Sequence, residues 1–270
     1  MKLRNIFTAI IIASAACLVS CNNLMDKAMQ AVMESAFNHD YQDSEKWGKV
    51  VTRDIPVLAF HEIELSGAVR LEYTQDSIYS LQVYGNEKAI EAYSITSEDE
   101  ELEASLKEGN GSVNQNTPAI TLRITAPFLT EIKGMGASEI VFAGRVIQDK
   151  ELDVNISGAG RVNIGLLKTK ELDMTISGAG EVIMADLICE EDVDINMSGA
   201  ANIRSKVECR KLKAKISGAG NGELDIHCQQ ARVSASGAAN VTLSGECNDF
   251  EYSATGSSSV NKDGLKIGRE

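Results

Sequence analysis

Proline, histidine, aromatic side chains and basic residues are all scarce in this chain. It has three prolines and three histidines among 270 residues, and aromatics make up 5%. Glycine, with 22 copies, is left as the main turn former. Lys and Arg number 26 against 39 Asp and Glu, a formal charge of −13. Such a surface repels a phosphate backbone, so a nucleic-acid partner is not expected, and the acidity serves solubility. His39, His61 and His227 are scattered, and no Cys/His spacing is that of a metal site. The chain shows no nucleophile elbow, no phosphate-cradling loop and no Gly-Gly-x-Gly-x-Asp calcium repeat. No cofactor is therefore expected.

The apolar run from Ile6 to Ala16 is too short to span a bilayer as a helix. It follows Lys2 and Arg4 and leads into Leu18-Val19-Ser20-Cys21, the order of a secretory leader. Small residues before a cysteine at this depth resemble the bacterial lipobox. The resemblance implies cleavage before Cys21 and lipid attachment to its thiol. Asn22, not Asp, follows the cysteine, which favours the outer membrane, on its surface or periplasmic side. An ordinary secretory leader with a chance cysteine is the alternative. Losing residues 1–20 removes two positive charges and takes the formal charge from −13 to −15. Residues 21–49 read as anchor and tether. Leu24, Ala28, Ala31, Val32 and Ser35 can line one face of a short helix and Met25, Met29, Met33 and Phe37 another, but a linker without a docked helix fits equally.

From Val50 the apolar period becomes 2. Val57 and Ala59, Ile63 and Leu65, Leu71 and Tyr73, Leu81 and Val83, Leu102 to Leu106 and Ile120 to Ile124 alternate with polar residues, as half-buried strands do. Ala89 to Tyr93 fits one helical turn, Glu98 to Glu101 a solvated loop, and Gly109 to Pro118 a turn. Residues 50–130 form an irregular β region on this reading, and residues 131–270 a regular one.

The regular part repeats Ile156-Ser157-Gly158-Ala159-Gly160. Copies stand at Ile176 to Gly180, Met197 to Ala201, Ile216 to Gly220 and Ala235 to Ala239, with weaker ones at Gly134 to Ser138 and Ala254 to Ser258. Leu65-Ser66-Gly67-Ala68 is an early outlier. The central glycines 136, 158, 178, 199, 218, 237 and 256 are 22, 20, 21, 19, 19 and 19 residues apart. A period near 20 is that of a solenoid whose coils bury their core against their neighbours. Counted from the serine, the residues one, three and five before it are apolar, for example Ile156, Val154 and Leu152, ending in Ala254, Tyr252 and Phe250. The fifth after it is apolar too, from Val162 to Val260, apart from Gly222. These positions face inward and the even ones outward. Strand, glycine corner, strand, once per coil and stacked about 4.8 Å apart, is an all-β parallel β-helix, right-handed by the crossover rule.

Two columns support the stacking. Asn202, Asn221 and Asn240 lie one period apart and form an asparagine ladder, where Arg161 and Glu181 stand in earlier coils. Cys189, Cys209, Cys228 and Cys247 also keep the period. An extracytoplasmic chain can use cysteines as disulfides, and neighbouring coils are close enough. Stacked side chains point the same way, however, which suits buried thiols better than bridges and does not converge on zinc.

A third set is acidic. Asp153, Asp173 and Asp194 form one outward column and Glu151, Glu171 and Asp192 another, which could hold Ca²⁺ or supply paired carboxylates as in β-helix polysaccharide lyases or hydrolases. Lys213 and Arg232 continue the first column and Lys211 the second, so Asp194–Lys213 and Asp192–Lys211 read as ion pairs on a solvated face.

The lipobox, Phe60-x-x-Ile63-x-Leu65-Ser66-Gly67-Ala68, Ala126-Pro127-x-Leu129 and the Ile-Ser-Gly-Ala-Gly repeats together resemble the head GIN domain family of auto-transporter adhesins, from about Val50 to Val260. The resemblance implies a right-handed β-helix with irregular first coils, an envelope or surface role in adhesion, and no catalytic residues. With a lipobox and no stretch for a membrane barrel, a lipid-tethered head is expected rather than an auto-transporter. The leading expectation is a non-enzymatic adhesin-like protein that presents Asn155, Thr175, Asn196, Lys215 and Ser234 to glycan or protein, with Arg161, Glu181 and Asn202 at the corner. An enzyme using Asp153, Asp173 and Asp194, or a self-associating structural component, are the alternatives. Open solenoid ends need covering, by residues 50–75 at one end and Asn261 to Glu270 at the other.

Overall fold

The computed structural model describes residues 44–107 and 118–268. Cys21, the tether up to residue 43, His39 and most of the Gly109 to Pro118 turn lie outside the described residues. A short helix, α1 (Ser44–Trp47), leads into strands β1 (Val50–Ile55), β2 (Glu62–Gln75) and β3 (Ser80–Asn86). Helix α2 (Glu87–Glu91) and strands β4 (Tyr93–Glu98), β5 (Glu101–Leu106) and β6 (Ile120–Ala126) follow. Then come the coil strands β7 (Glu131–Ile147), β8 (Leu152–Thr169), β9 (Leu172–Cys189), β10 (Asp192–Gly218), β11 (Asn221–Gly237), β12 (Asn240–Gly256) and β13 (Ser259–Ile267). They join in one continuous sheet in the order β1-β3-β6-β2-β7-β8-β9-β10-β11-β12-β13, with β5 branching from β2 and pairing β4. From β2 onward every pairing along the stack is parallel, as a β-solenoid requires.

The glycine corner sets the register. Gly67, Gly136, Gly158, Gly178, Gly199, Gly218, Gly237 and Gly256 stack in one column, all at positive φ between 79° and 123°. A Cβ on Gly178 would lie 2.2 Å from the Gly158 carbonyl oxygen, and one on Gly218 2.2 Å from that of Gly199. Only a residue without a side chain allows both the left-handed turn and the one-strand spacing of the stack. The next corner position, Gly160 or Gly180, makes room for the methyl of Ile156 or Ile176, 2.3 and 2.6 Å from where a Cβ would sit.

The inward columns form one core. Ile156, Ile176 and Ile216 are at most 2% exposed, as are Leu152, Val154, Leu172, Met174, Val193, Ile195, Leu212 and Ala214. Burying each large aliphatic side chain contributes about 1.5–3 kcal/mol relative to exposure. At a further turn of the coil the Gln148 side chain is buried. Its amide oxygen accepts from Leu129 N (3.2 Å) and its nitrogen donates to Leu129 O (2.8 Å), so neither amide atom is stranded.

Three expectations need correction. Stacking in register starts at β2, where Gly67 pairs with Gly136, so residues 62–75 are the first coil and not its cap. That end is covered by the antiparallel strands β1 and β3 and by the β4–β5 hairpin, whose Tyr93 hydroxyl accepts from Ala68 N (3.0 Å) and donates to Ala68 O (3.1 Å). Glu98, Asp99 and Glu100 are exposed, as expected of a solvated loop: Asp99 and Glu100 form the two-residue turn of this hairpin, both at positive φ, between the paired Glu98 and Glu101. At the other end β13 pairs with β12 only over residues 240–247, so Asn261 to Gly268 cover part of the last coil. Tyr252 is consequently 52% exposed and Ala254 exposed, while Val233 and Ala235 one coil earlier are buried. Finally, Asp192 pairs with Arg210 (2.6 Å) and not with Lys211.

Candidate functional site

Two outward faces flank the glycine corner. On the face before it, Lys133, Asn155, Thr175 and Asn196 stand in register, as do Lys215, Ser234 and Ser253. Asn155, Thr175 and Lys215 are exposed, Asn196 and Ser234 half-buried. Asn196 donates to Asp194 Oδ1 (2.8 Å), and Ser253 donates to Ser234 Oγ (3.1 Å). The expected face is therefore a real row of polar side chains, but two of its five members are engaged by neighbours.

Beside it Glu131, Asp153, Asp173 and Asp194 form one column. Glu131 pairs with Lys133 (2.7 Å), and Asp194 with Lys213. Partial burial, and then the neighbouring carboxylates Asp173 and Glu131, raise Asp153 above its ordinary value. Asp173 is raised likewise, by burial and then by Asp194. Among the described residues no group of three or more His, Cys, Asp or Glu side chains converges as metal ligands would. In-register columns keep carboxylates parallel and do not aim them at one point.

The corner column changes chemistry along the stack. Arg70 donates to Glu139 (2.9 Å) and Arg161 to Glu181 (2.9 Å). Asn221 then donates through its side chain to Asn202 Oδ1 (2.8 Å), and Ser259 to Asn240 Oδ1 (2.8 Å). Of the expected corner contacts, Arg161 and Glu181 thus bind each other, and Asn202 binds Asn221 one coil on. The cysteine column follows the same logic. Cys209, Cys228 and Cys247 pair in register, and all four body cysteines are free thiols. Burial pushes Cys189 up to about 12, and Cys228 lies 3.5 Å from Cys247 sulfur to sulfur. These are packed thiols, not nucleophiles. His227, on the opposite side of its strand, sits 3.7 Å from both Asp225 and Glu246, and His61 stacks on Phe128 at 4.1 Å.

The face after the corner carries a feature that the sequence did not announce. At its N-terminal end strands β1, β3, β6, β2 and β7 curve into a groove of about 860 Å³. Asp54, Gln82, Arg123 and Glu72 cross it as one row of register partners. Gln82 donates to Asp54 (3.0 Å), and Arg123 to Glu72 (3.0 Å), which also accepts from Arg70 (2.8 Å). Burial alone would raise the Glu72 carboxyl, but hydrogen bonds from Arg123 and Arg70 prevail and hold it below its ordinary value. Ser80 and Thr125 bond each other alongside (2.7 Å), and Tyr79 lines the wall. Alternation marks Asp54, Gln82 and Arg123 as outward. Their meeting depends on the non-consecutive order β1-β3-β6-β2, for which the residues carry no local signal. Among the described residues no helix is long and apolar enough to cross a membrane.

Residues 59–186 and 190–269 match the family described as "Putative auto-transporter adhesin, head GIN domain". No curated protein matches the chain. Among solved structures, a "putative adhesin" from Bacteroides fragilis NCTC 9343 superposes with a TM-score of 0.69 at 20% identity, covering 79% of this chain and 96% of its own. A "putative lipid binding protein" from Parabacteroides distasonis ATCC 8503 gives 0.57 at 19% identity, with coverage of 79% and 96%. A "putative adhesin" from the same strain gives 0.59 at 15% identity, with coverage of 79% and 97%. At such identities these structures share the fold. The family match spans most of the chain from the first coil to the last, and the chain belongs to the head GIN domain family.

Proposed function

We propose that this protein is a lipid-anchored envelope protein that binds glycan or protein in an adhesin-like, non-enzymatic manner. The observation that carries the reading is the extended outward face, where Asn155, Thr175, Asn196, Lys215 and Ser234 repeat at the spacing of one strand. A ligand with its own regular repeat can meet equivalent donors and acceptors coil after coil, and weak contacts then add. The family and the adhesin descriptions of two structural relatives support it. Cys21 is the proposed lipid attachment point, in the outer membrane.

The groove favours a second location for the same activity. It is concave, and its polar side chains are already held in place by one another, which lowers the entropy cost of binding. Glu72 is held ionised by two guanidinium groups, so it does not offer a proton to a leaving group near neutral pH. The raised carboxyls of Asp153 and Asp173 lie instead on the flat face, away from the groove lining.

The test is binding of residues 22–270 to an array of host and microbial glycans, with recovery and sizing of the bound chains. Intact bound glycan supports the reading; shortened glycan refutes the non-enzymatic part and turns attention to Asp153, Asp173 and Asp194. Thr175→Ala with Asn155→Ala should weaken binding several-fold if the flat face is used, and Gln82→Ala with Arg123→Ala if the groove is used. Absence of any glycan ligand leaves protein as the ligand class, to be sought with the same variants. Labelling of the full chain by fatty acid, lost in Cys21→Ser, tests the anchor.

A further inference from the structure

The groove has a floor of its own beside the row of Asp54, Gln82, Arg123 and Glu72. Two residues along each strand, on the same outward side, come Ser80, Thr125 and Thr74, register partners in turn. Their side chains are short, and Ala143 of β7 continues the lining with a methyl group. Short side chains beside long ones leave a trough on the sheet face, and its 860 Å³ falls within the range of about 300–1,000 Å³ typical of small-molecule sites. Pro56, Val57 and Tyr79 add apolar surface to it. Tyr79 is fixed there, packed edge-on against the buried Phe60 with ring centroids 5.5 Å apart.

The polar atoms suit hydroxyl groups. Thr125 donates to Ile78 O (2.6 Å), so Ser80 donates to Thr125 and its own oxygen still accepts. The Thr74 hydroxyl is exposed and has no partner among the described residues. Gln82 gives one N–H to Asp54, and Arg123 gives its Nε–H to Glu72. That leaves an amide oxygen on Gln82 and further N–H groups on Arg123. A hydroxyl both donates and accepts, so it can meet either. A phosphate or carboxylate only accepts. It would face two carboxylates, Asp54 and Glu72, against one guanidinium, Arg123, among the lining residues. Arg70 does not redress this balance, because it is shared between Glu72 (2.8 Å) and Glu139 (2.9 Å). A peptide finds no strand edge here, because β3, β6 and β2 beneath the groove are each paired on both sides.

Resting on the glycan-binding reading above, we propose that the groove is a subsite for one or a few pyranose rings of a neutral glycan, and that it turns acidic sugars away. The C–H face of a ring lies on Ala143, Val57 and Tyr79, where burial of apolar area drives association. Ring hydroxyls replace water on Ser80 and Thr74. They also bond Gln82 and Arg123, which protein partners already hold in place, so little side-chain freedom is lost.

The experiment is titration calorimetry of residues 22–270, which retain every described residue, with neutral oligosaccharides of glucose, galactose, mannose and N-acetylglucosamine. The tightest binder is then compared with its uronate counterpart, in which the primary alcohol is oxidised to a carboxylate and the ring and linkage are kept. The neutral sugar should bind at least ten-fold more tightly than the uronate. Ala143 is exposed on the floor, and Ala143→Trp fills the groove without removing a hydrogen bond. It should weaken binding at least ten-fold while circular dichroism and melting temperature stay unchanged. Thr74→Trp, also at an exposed floor position, should do the same and serves if Ala143→Trp does not fold. A uronate bound as tightly as the neutral sugar overturns the discrimination. Neutral binding that survives both substitutions overturns the groove as the subsite, and its loss in Asn155→Ala with Thr175→Ala would then leave the binding reading standing on the flat face. If the unsubstituted protein binds none of these oligosaccharides, the glycan reading itself fails, and the groove assignment fails with it.

Discussion

Gly178 carries two constraints that can be separated. Its φ is +123°, and a Cβ would stand 2.2 Å from the carbonyl oxygen of the coil below. Gly144 has a similar φ of +86° with nothing within 4 Å of its would-be Cβ. Gly144→Ala should therefore cost only the backbone strain, about 1–3 kcal/mol. Gly178→Ala must in addition push two coils apart, and should lower the melting temperature much further or prevent folding. Equal losses in thermal denaturation would show that φ alone explains the corner glycines. The repeated glycine was legible in the sequence as a corner. Its closeness to the next backbone was not, because that distance belongs to the stack.

At the scale of the element, each column is a one-dimensional array in which a residue answers to the coil above and below. The acidic column shows what happens when the sign does not alternate. Burial, and then neighbouring carboxylates, raise Asp153 and Asp173 above their unfolded values. The folded state then holds its protons more tightly. Stability from this source is greatest at low pH and falls as pH rises from the unfolded toward the folded pKa. Asp173→Asn should accordingly stabilise the protein at neutral pH, by less than about 1 kcal/mol because the site is solvated. Its advantage over wild type should shrink as pH is lowered through the carboxylate range. A variant that is less stable than wild type at pH 7 in chemical denaturation would overturn this account. The corner column solves the same problem differently, with Arg161 against Glu181 and then neutral asparagines. Both columns could be written down from the period. Which members pair could not, as the exchange of Lys211 for Arg210 beside Asp192 shows.

Across the whole molecule, stability in a solenoid is a sum over coils and their interfaces, so the ends open first. The two ends here differ. The first coil is closed by β1, β3 and the β4–β5 hairpin, with Tyr93 tied to both backbone groups of Ala68. The last coil has an open edge. In hydrogen exchange, amides of 249–256 should exchange well before those of 172–176 in the middle of the stack. Uniform protection along the stack would count against both an open end and nearest-neighbour cooperativity.

The period of the glycines and the alternation of Ile, Val and Leu determined by themselves that the chain is a stack of β coils, where its corners are and which side chains point inward. These follow from local geometry, since a strand alternates with period 2 and only glycine turns and stacks at once. The tertiary structure decided where the stack begins and ends. Residues 62–75 join it because they find β7 as a partner; Tyr252 is half out of the core because β13 pairs only with residues 240–247 and leaves Lys262 over its ring, although its column position is the same as that of Val233. The groove, too, arises only when β1, β3, β6 and β2 come together out of sequence order. Pairing between distant strands depends on the summed fit of whole edges, and no single residue carries that information.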